Sequence, residues 1–224
     1  MNTNLSVSQP KSETELLKNA KRITGKTLSQ LAGLVGITAP DNQKRAKGWS
    51  GEIVETLLGA SASSLPEPDF QLIGVELKTI PINKKGRPKE STYVTTVPLT
   101  KLHDLSWENS NVKLKLSRVL WVPIESDPSI PLPKRRIGDP ILWSPTEQQE
   151  NDIRTDWEEL MGMINLGELD RISSRLGKVL QIRPKAANAR ALVQSINESG
   201  ELGLSLPRGF YLRSSFTHSI LSNL

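Results

Sequence analysis

No cysteine occurs among the 224 residues, and the histidines number two, His103 and His218. The first absence excludes a disulfide framework and thiolate zinc sites, and agrees with a cytoplasmic location. The second leaves a histidine-rich metal centre without ligands. No apolar run approaches the ~18 residues of a membrane span. The N-terminus, "MNTNLSVSQPKSETELLKNAK", lacks the basic start and apolar stretch of a secretory signal. Internal repeats and low-complexity segments are also missing. What is present fits a soluble globular chain, with 36% hydrophobic and 24% charged residues. The length suits one large domain or two small lobes sharing a core.

Lys and Arg total 29 against 24 Asp and Glu, a formal net charge of +5. The cations cluster in "NKKGRPK" (83–89), "VKLKLSR" (112–118), "KRR" (134–136) and "IRPKAANAR" (182–190), while acids gather at 147–159. Such a distribution suits a polyanionic partner. It equally suits a solvated surface of uneven charge.

Residues 1–11 read as a flexible polar arm. Leu16, Leu17, Ala20 and Ile23 recur at helical spacing, a second short helix follows around Leu28 to Val35, and "APDNQKRAKG" is a polar loop. A third helix spans about 49 to 58 and stops near Gly59. In "PDFQLIGVELKTI" (68–80) the apolar Ile73, Val75 and Leu77 alternate with Gly74, Glu76 and Lys78. A strand of period two turns the first set to a core and places Glu76 and Lys78 together on the other face. "TYVTTVPL" is the expected pairing strand, after a "KKGRPKES" turn. "VKLKLSRVLWVPIE" reads as a strand entering a core. Ser144 as N-cap, Pro145 at the first helical position and Glu147 closing a capping box predict a long helix. "KVLQIRP" predicts a strand, "AANARALVQSINES" a helix, and "FYLRSSFTHSIL" a strand leading into a helix. The fold class is mixed α/β, a short sheet flanked by helices.

Three stretches carry candidate chemistry. Cleaving a phosphodiester needs an activated water and relief of negative charge, which a carboxylate-held divalent cation supplies, with a lysine to orient water or offset charge. Asp69, Glu76 and Lys78 form such a set. The backbone carbonyl of Leu77 offers a further oxygen, and Glu55 on the preceding helix a third carboxylate. The alternative is that Glu76 and Lys78 form an exposed ion pair of small energetic weight. Arg183 and Lys185 flank Pro184; arginine can grip a guanine edge and lysine can hold base or phosphate. A basic strand end is the plainer account. Phe210 and Tyr211 in "LPRGFYLR" face opposite ways on a strand, so Phe210 is expected in the core and Tyr211 either in the core or against a base.

"DNQKRAKGWSGEIVETLLGASASSLPEPDFQLIGVELKTIP", then "RVLWVPIE", "PILWSPTEQQ", "DWEELM", "IRPKAANA" and "LPRGFYLR" resemble, in order, the MutH family of bacterial methyl-directed mismatch-repair endonucleases. The resemblance covers nearly the whole chain beyond the first ten or so residues. It implies a fold like that of type II restriction endonucleases: a mixed β-sheet flanked by helices in one bilobed domain over 12–224, with a DNA cleft between the lobes. The metal-site lobe is expected around 47–100 and the DNA-reading elements around 178–215. It further implies nicking of the unmethylated strand at hemimethylated GATC sites, 5′ to the guanine. The implied cofactor is Mg2+, with Mn2+ expected to substitute and Ca2+ expected to bind without supporting cleavage. The implied partners are double-stranded GATC-containing DNA, the activator MutL and, indirectly, MutS, with no membrane. A monomer acting in the bacterial cytoplasm at the nucleoid is the expected state.

Residue by residue, the resemblance makes Asp69, Glu76, Lys78, Glu55 and Lys115 the catalytic set. Asp69, Glu76, Leu77 and Glu55 would bind the metal. Lys47 and Gly48 would contact the DNA groove, Arg183, Pro184 and Lys185 would read GATC, and Tyr211 would monitor adenine methylation. Glu52 departs from the pattern, an acid where an apolar residue is expected. Two other functions use the same residues: a GATC restriction endonuclease cutting both strands, and a non-catalytic DNA-binding relative that retains the carboxylates. One chain carries one catalytic set, so the first would need dimerisation or sequential nicks.

Overall fold

The computed structural model describes residues 7–38, 40, 48–62, 66–185 and 190–222. Local signals set most helix ends. The Ser12 hydroxyl accepts the Glu15 N–H and starts α1 (Glu13–Ile23). Thr27 and Gln30 form a reciprocal capping box at the head of α2 (Leu28–Val35). α3 (Trp49–Leu58) ends at Gly59, φ 75°, where a Cβ would stand 2.6 Å from the Ser8 carbonyl oxygen. The remaining elements are β1 (Glu76–Ile82), β2 (Thr92–Thr96), α4 (Asn111–Leu116), β3 (Val119–Glu125), β4 (Ile141–Trp143), α5 (Glu147–Asn165), β5 (Leu180–Pro184), β6 (Val193–Ile196), β7 (Leu202–Ser205), β8 (Arg208–Leu212) and α6 (Ser214–Ser222).

The chain divides into two discontinuous compact units, Met1–Lys89 with Arg118–Ser144, and Glu90–Ser117 with Pro145–Leu224. In the first, β1 runs parallel to β3 in register from Glu76↔Val119 to Ile82↔Glu125, and β4 lies antiparallel along β3. β3 is buried at its first six positions, as expected of a strand covered on both faces. Leu16, Leu28, Leu31, Ile53, Phe70, Val75, Leu120 and Val122 join the helices to this sheet in one apolar cluster. In the second unit β8 is the middle strand between β2 and β5, antiparallel to both, and β6 with β7 makes a separate hairpin.

Four expectations need correction. "TYVTTVPL" does not pair with β1: β2 pairs with β8, while β1 takes β3, whose continuous apolar run favours a buried parallel position. "VKLKL" is helical, not extended. Ser110 caps α4 by accepting the Lys113 N–H at 3.1 Å, and Val112 and Leu116, four apart, are buried while Leu114 is exposed. In so short a segment helical and alternating spacing select the same residues. The long helix is capped by Thr146 with Gln149, two residues beyond the Ser144–Glu147 box; the Ser144 hydroxyl instead accepts from Arg118 at 3.3 Å. Of "AANARALVQSINES", residues 186–189 lie outside the described residues and Val193–Ile196 is strand β6. Asn197 Oδ1 accepts the N–H groups of Ser199 and Glu201 and turns the chain into a hairpin before a helix can start.

Candidate metal site and DNA-reading surface

The strand at the heart of the first site begins later than the alternation suggests. Gln71–Ile73 is a 3-10 turn, closed by Gly74 at φ 65°, so Ile73 is not a strand residue. The turn brings Phe70 back against Val75, with the Phe70 N–H donating to the Val75 carbonyl at 2.9 Å. Asp69 is thereby delivered to the head of β1, where its Oδ2 accepts the Leu77 N–H at 2.8 Å. The Leu77 side chain is buried in the core, so this residue faces the site through its backbone alone.

Glu76 and Lys78 share a face, as period two requires, and Lys78 Nζ donates to Glu76 Oε1 at 2.5 Å. That face is not solvated: the Lys78 and Glu76 side chains are 13% and 3% exposed. The exposed-pair account is therefore corrected. A carboxylate this deep is retained only with charge-bearing or hydrogen-bonding partners.

Glu55 and β1 meet around Gly51: a Cβ there would lie at ordinary contact distance from both, 3.5 Å from Thr79 Oγ1 and 3.7 Å from Glu55 Oε1. Desolvation raises the Glu55 carboxyl above the usual range, and the charges of Asp69, Glu52 and Glu76 add to the effect against the opposing Lys78. Glu52 itself is exposed and lies outside the buried stripe of Trp49, Ile53, Val54 and Leu58, so the acid costs no packing and an apolar residue is not required there. Among the described residues no three His, Cys, Asp or Glu side chains form a cluster able to hold an ion by themselves. Magnesium needs only one or two protein carboxylates because it keeps several waters. The all-oxygen chemistry of Asp69 and Glu76, beside an acid already strained by its neighbours, fits such a cation.

A second set of residues lies in the other unit. β5 and β8 pair with Arg183 opposite Gly209 and Gln181 opposite Tyr211. Arg183 Nη1 donates to Ser91 Oγ at 2.7 Å, and its guanidinium carbon lies 5.9 Å from the Tyr211 ring centroid. Tyr211 meets Tyr93 edge-on at 5.4 Å between centroids, and Lys185 Nζ sits 3.4 Å from the centroid of Tyr93. Gly209 leaves space for both rings: a Cβ there would be 2.9 Å from Tyr93 and 3.0 Å from Tyr211. Phe210 is buried and Tyr211 half-buried, so the core expectation holds for the first and the outward face for the second. Burial raises the Tyr211 hydroxyl first, with Tyr93 and Glu90 adding and Arg183 opposing. Pro184 is exposed, and the Lys185 N–H closes the strand end onto the Pro207 carbonyl at 2.7 Å. Ser91 and Tyr93 were not anticipated as site residues. Tyr93 lies on β2 and Ser91 just before it, two positions apart.

Lys115, Lys47 and Gly48 complete the expected residues. Lys115 is half-buried on α4, in the same unit as Arg183 and Tyr211, whereas the carboxylates and Lys78 belong to the first unit. Lys47 lies outside the described residues. Gly48 is the N-cap of α3 at φ 90°, a conformation that favours glycine, and its carbonyl accepts the Glu52 N–H.

Asp69 beside β1 and Glu76 with Lys78 on it, in a mixed α/β fold that also carries a basic and aromatic strand pair, suit a nuclease of the restriction-endonuclease-like class. The comparisons narrow that class. The family described as "DNA mismatch repair enzyme MutH" matches residues 58–156. The DNA mismatch repair protein MutH of Escherichia coli O6:K15:H31 (strain 536 / UPEC) is 54% identical over 216 residues, covering 96% of this chain and 94% of the relative. That of Escherichia coli (strain K12 / DH10B) is equally similar, 54% over the same shares. The chain belongs to the MutH family and is a DNA mismatch-repair endonuclease. Among the described residues no helix is long and apolar enough to cross a membrane.

Proposed function

We propose that this endonuclease nicks the unmethylated strand of hemimethylated GATC sites 5′ to the guanine, uses Mg2+, and is switched on by MutL after MutS has found a mismatch. The observation that carries the chemistry is the Glu76–Lys78 pair, closed from water at the head of a strand that also holds Asp69. Asp69 and Glu76 would hold the cation, with the Leu77 carbonyl and Glu55 completing the oxygen donors. When bound, the cation supplies a lowered water pKa and offsets charge on the phosphate. The chain's own part is positional. The Leu77 N–H fixes the Asp69 carboxylate against β1, and Lys78, held by Glu76, presents an ammonium to the attacking water or the phosphate oxygens.

Sequence selection belongs to Arg183, Pro184 and Lys185, with Tyr211 against the adenine edge and Lys47 and Gly48 in the groove. Lys115 senses bound DNA from α4. One catalytic set per chain suits a monomer that makes a single cut, acting on chromosomal DNA in a bacterial cytoplasm. Dependence on MutL has a physical rationale, since unrestrained cutting at every four-base site would fragment a chromosome.

The test compares nicking of unmethylated, hemimethylated and fully methylated GATC duplexes in Mg2+, with and without MutL, and scores a circular plasmid for open circles against linear product. Open circles, a methylated site left uncut and stimulation by MutL are expected. Linear product without MutL would assign a restriction activity instead, and no cleavage in any divalent cation would leave only DNA binding.

A further inference from the structure

Asp156 is a buried carboxylate that the chemistry above leaves unused. It is 4% exposed on α5, and it accepts three consecutive backbone N–H groups: Lys178 at 2.8 Å on Oδ1, and Val179 and Leu180 at 2.6 and 2.7 Å on Oδ2. Successive amides of an extended strand point to alternate sides. Three aimed at one anion make a concave nest instead. Gly177, at φ 80°, opens the nest: a Cβ there would stand 1.8 Å from the Leu180 carbonyl oxygen. One helical turn earlier, Asp152 holds the Lys178 ammonium with both oxygens at 3.1 Å.

The carbonyls of the same loop are claimed by a cation. Arg213 donates to the carbonyls of Ser174, Leu176 and Gly177 at 3.0, 2.9 and 2.9 Å, and its backbone N–H to Val179 at 2.8 Å. The loop is thus gripped by a carboxylate at its amides and by a guanidinium at its carbonyls. The strand it launches, β5, is an edge strand bonded, among the described residues, to β8 alone. On such a strand a one-residue slip turns every side chain to the other face. Arg183 lies three residues beyond Leu180, about 10 Å along the strand.

We infer that Asp156 and Arg213 are positioning residues for sequence selection: by clasping residues 174–180 they set the register of β5 and aim Arg183 and Lys185 at the bases. The inference rests on the reading role proposed for Arg183. Asp156→Asn keeps the size of the side chain but turns an amide NH2 toward backbone N–H groups. It lowers the selectivity for GATC over a duplex with one base changed by about tenfold, within the range of one base contact. The turnover number on GATC itself stays within about threefold. In the DNA-free protein, hydrogen exchange at 178–185 rises relative to β2. Arg213→Lys, which keeps the charge and loses the three-donor fork, gives the same pattern. Ile153→Val, in the same helix, weakens the core by a methyl group and moves neither the selectivity nor the exchange.

A folded Asp156→Asn protein with unchanged selectivity beside a selective wild type overturns the inference, as does a selectivity loss of equal size in Ile153→Val. If Asp156→Asn does not fold, Arg213→Lys decides alone, and normal selectivity there overturns it. A wild type with no preference for GATC removes the proposed function instead, and the exchange measurement separates the two failures because it needs no DNA.

Discussion

Lys78 Nζ lies 2.5 Å from Glu76 Oε1, and the two side chains are only 13% and 3% exposed. The lysine therefore gives a buried carboxylate a close, charged hydrogen-bond partner. Lys78→Ala removes this charged hydrogen bond and should destabilise the metal-free protein by about 1–3 kcal/mol. It should also reduce nicking by about a hundredfold or more, while DNA affinity changes little because many basic residues remain. If Glu76 holds the proposed divalent cation, the ammonium competes with it, and added Mg2+ should raise the melting temperature more in Lys78→Ala than in the wild type. A thermal melt with and without Mg2+ checks this. An equal shift in the two proteins would place the cation away from Glu76.

Arg183 is held by Ser91 and faces Tyr211, which orders its guanidinium before any base arrives. Arg183→Ala should cost about 1–3 kcal/mol in discrimination between GATC and a scrambled duplex, measured as a ratio of binding constants at fixed salt. Ser91→Ala should give a smaller loss in the same direction. Equal losses on both duplexes would mark Arg183 as a general phosphate contact.

Tyr211→Ser should relax the bias between methylated and unmethylated strands. N6-methylation puts bulk and a missing donor at the adenine edge in the major groove, and the aromatic face of Tyr211 is what would meet it. The side chain is half-buried and touches Tyr93 edge-on, so the protein should remain folded. Cutting rates on hemimethylated and fully methylated duplexes check the claim. A slowing of both without admission of the methylated site would return Tyr211 to general packing.

Glu13 and Arg118 tie α1 to the head of β3 through bonds of 2.7 and 2.6 Å, and the Arg118 carbonyl accepts the Glu76 N–H. The hydrogen bonds from Arg118 hold the Glu13 carboxyl below its usual range. Stability from this pair is present above the ordinary glutamate pKa and is lost as pH falls through the lowered value. Glu13→Gln should therefore cost up to about 1 kcal/mol at pH 7, the pair being partly exposed and screened. The difference from wild type should vanish in acid. Denaturant melts at pH 7 and below pH 4 test the sign; a constant difference would mean that packing of the side chain, not its charge, matters.

Helix α3 with its terminal Gly59, the buried Phe210 and the shared face of Glu76 and Lys78 were all legible from the sequence, because each depends on neighbours within a few residues. A cap, a left-handed glycine and a period of two are local matters of backbone geometry. Tertiary structure decided the rest. β1 could have paired with the nearby β2, yet it took β3, some forty positions on, because a fully apolar strand gains most where both faces are covered. "VKLKL" satisfied two periods at once, and a serine cap with a buried Val112–Leu116 side chose the helix. The burial of the Glu76–Lys78 pair was equally beyond the sequence: alternation says which side chains share a face, while only the packed fold says whether water reaches it.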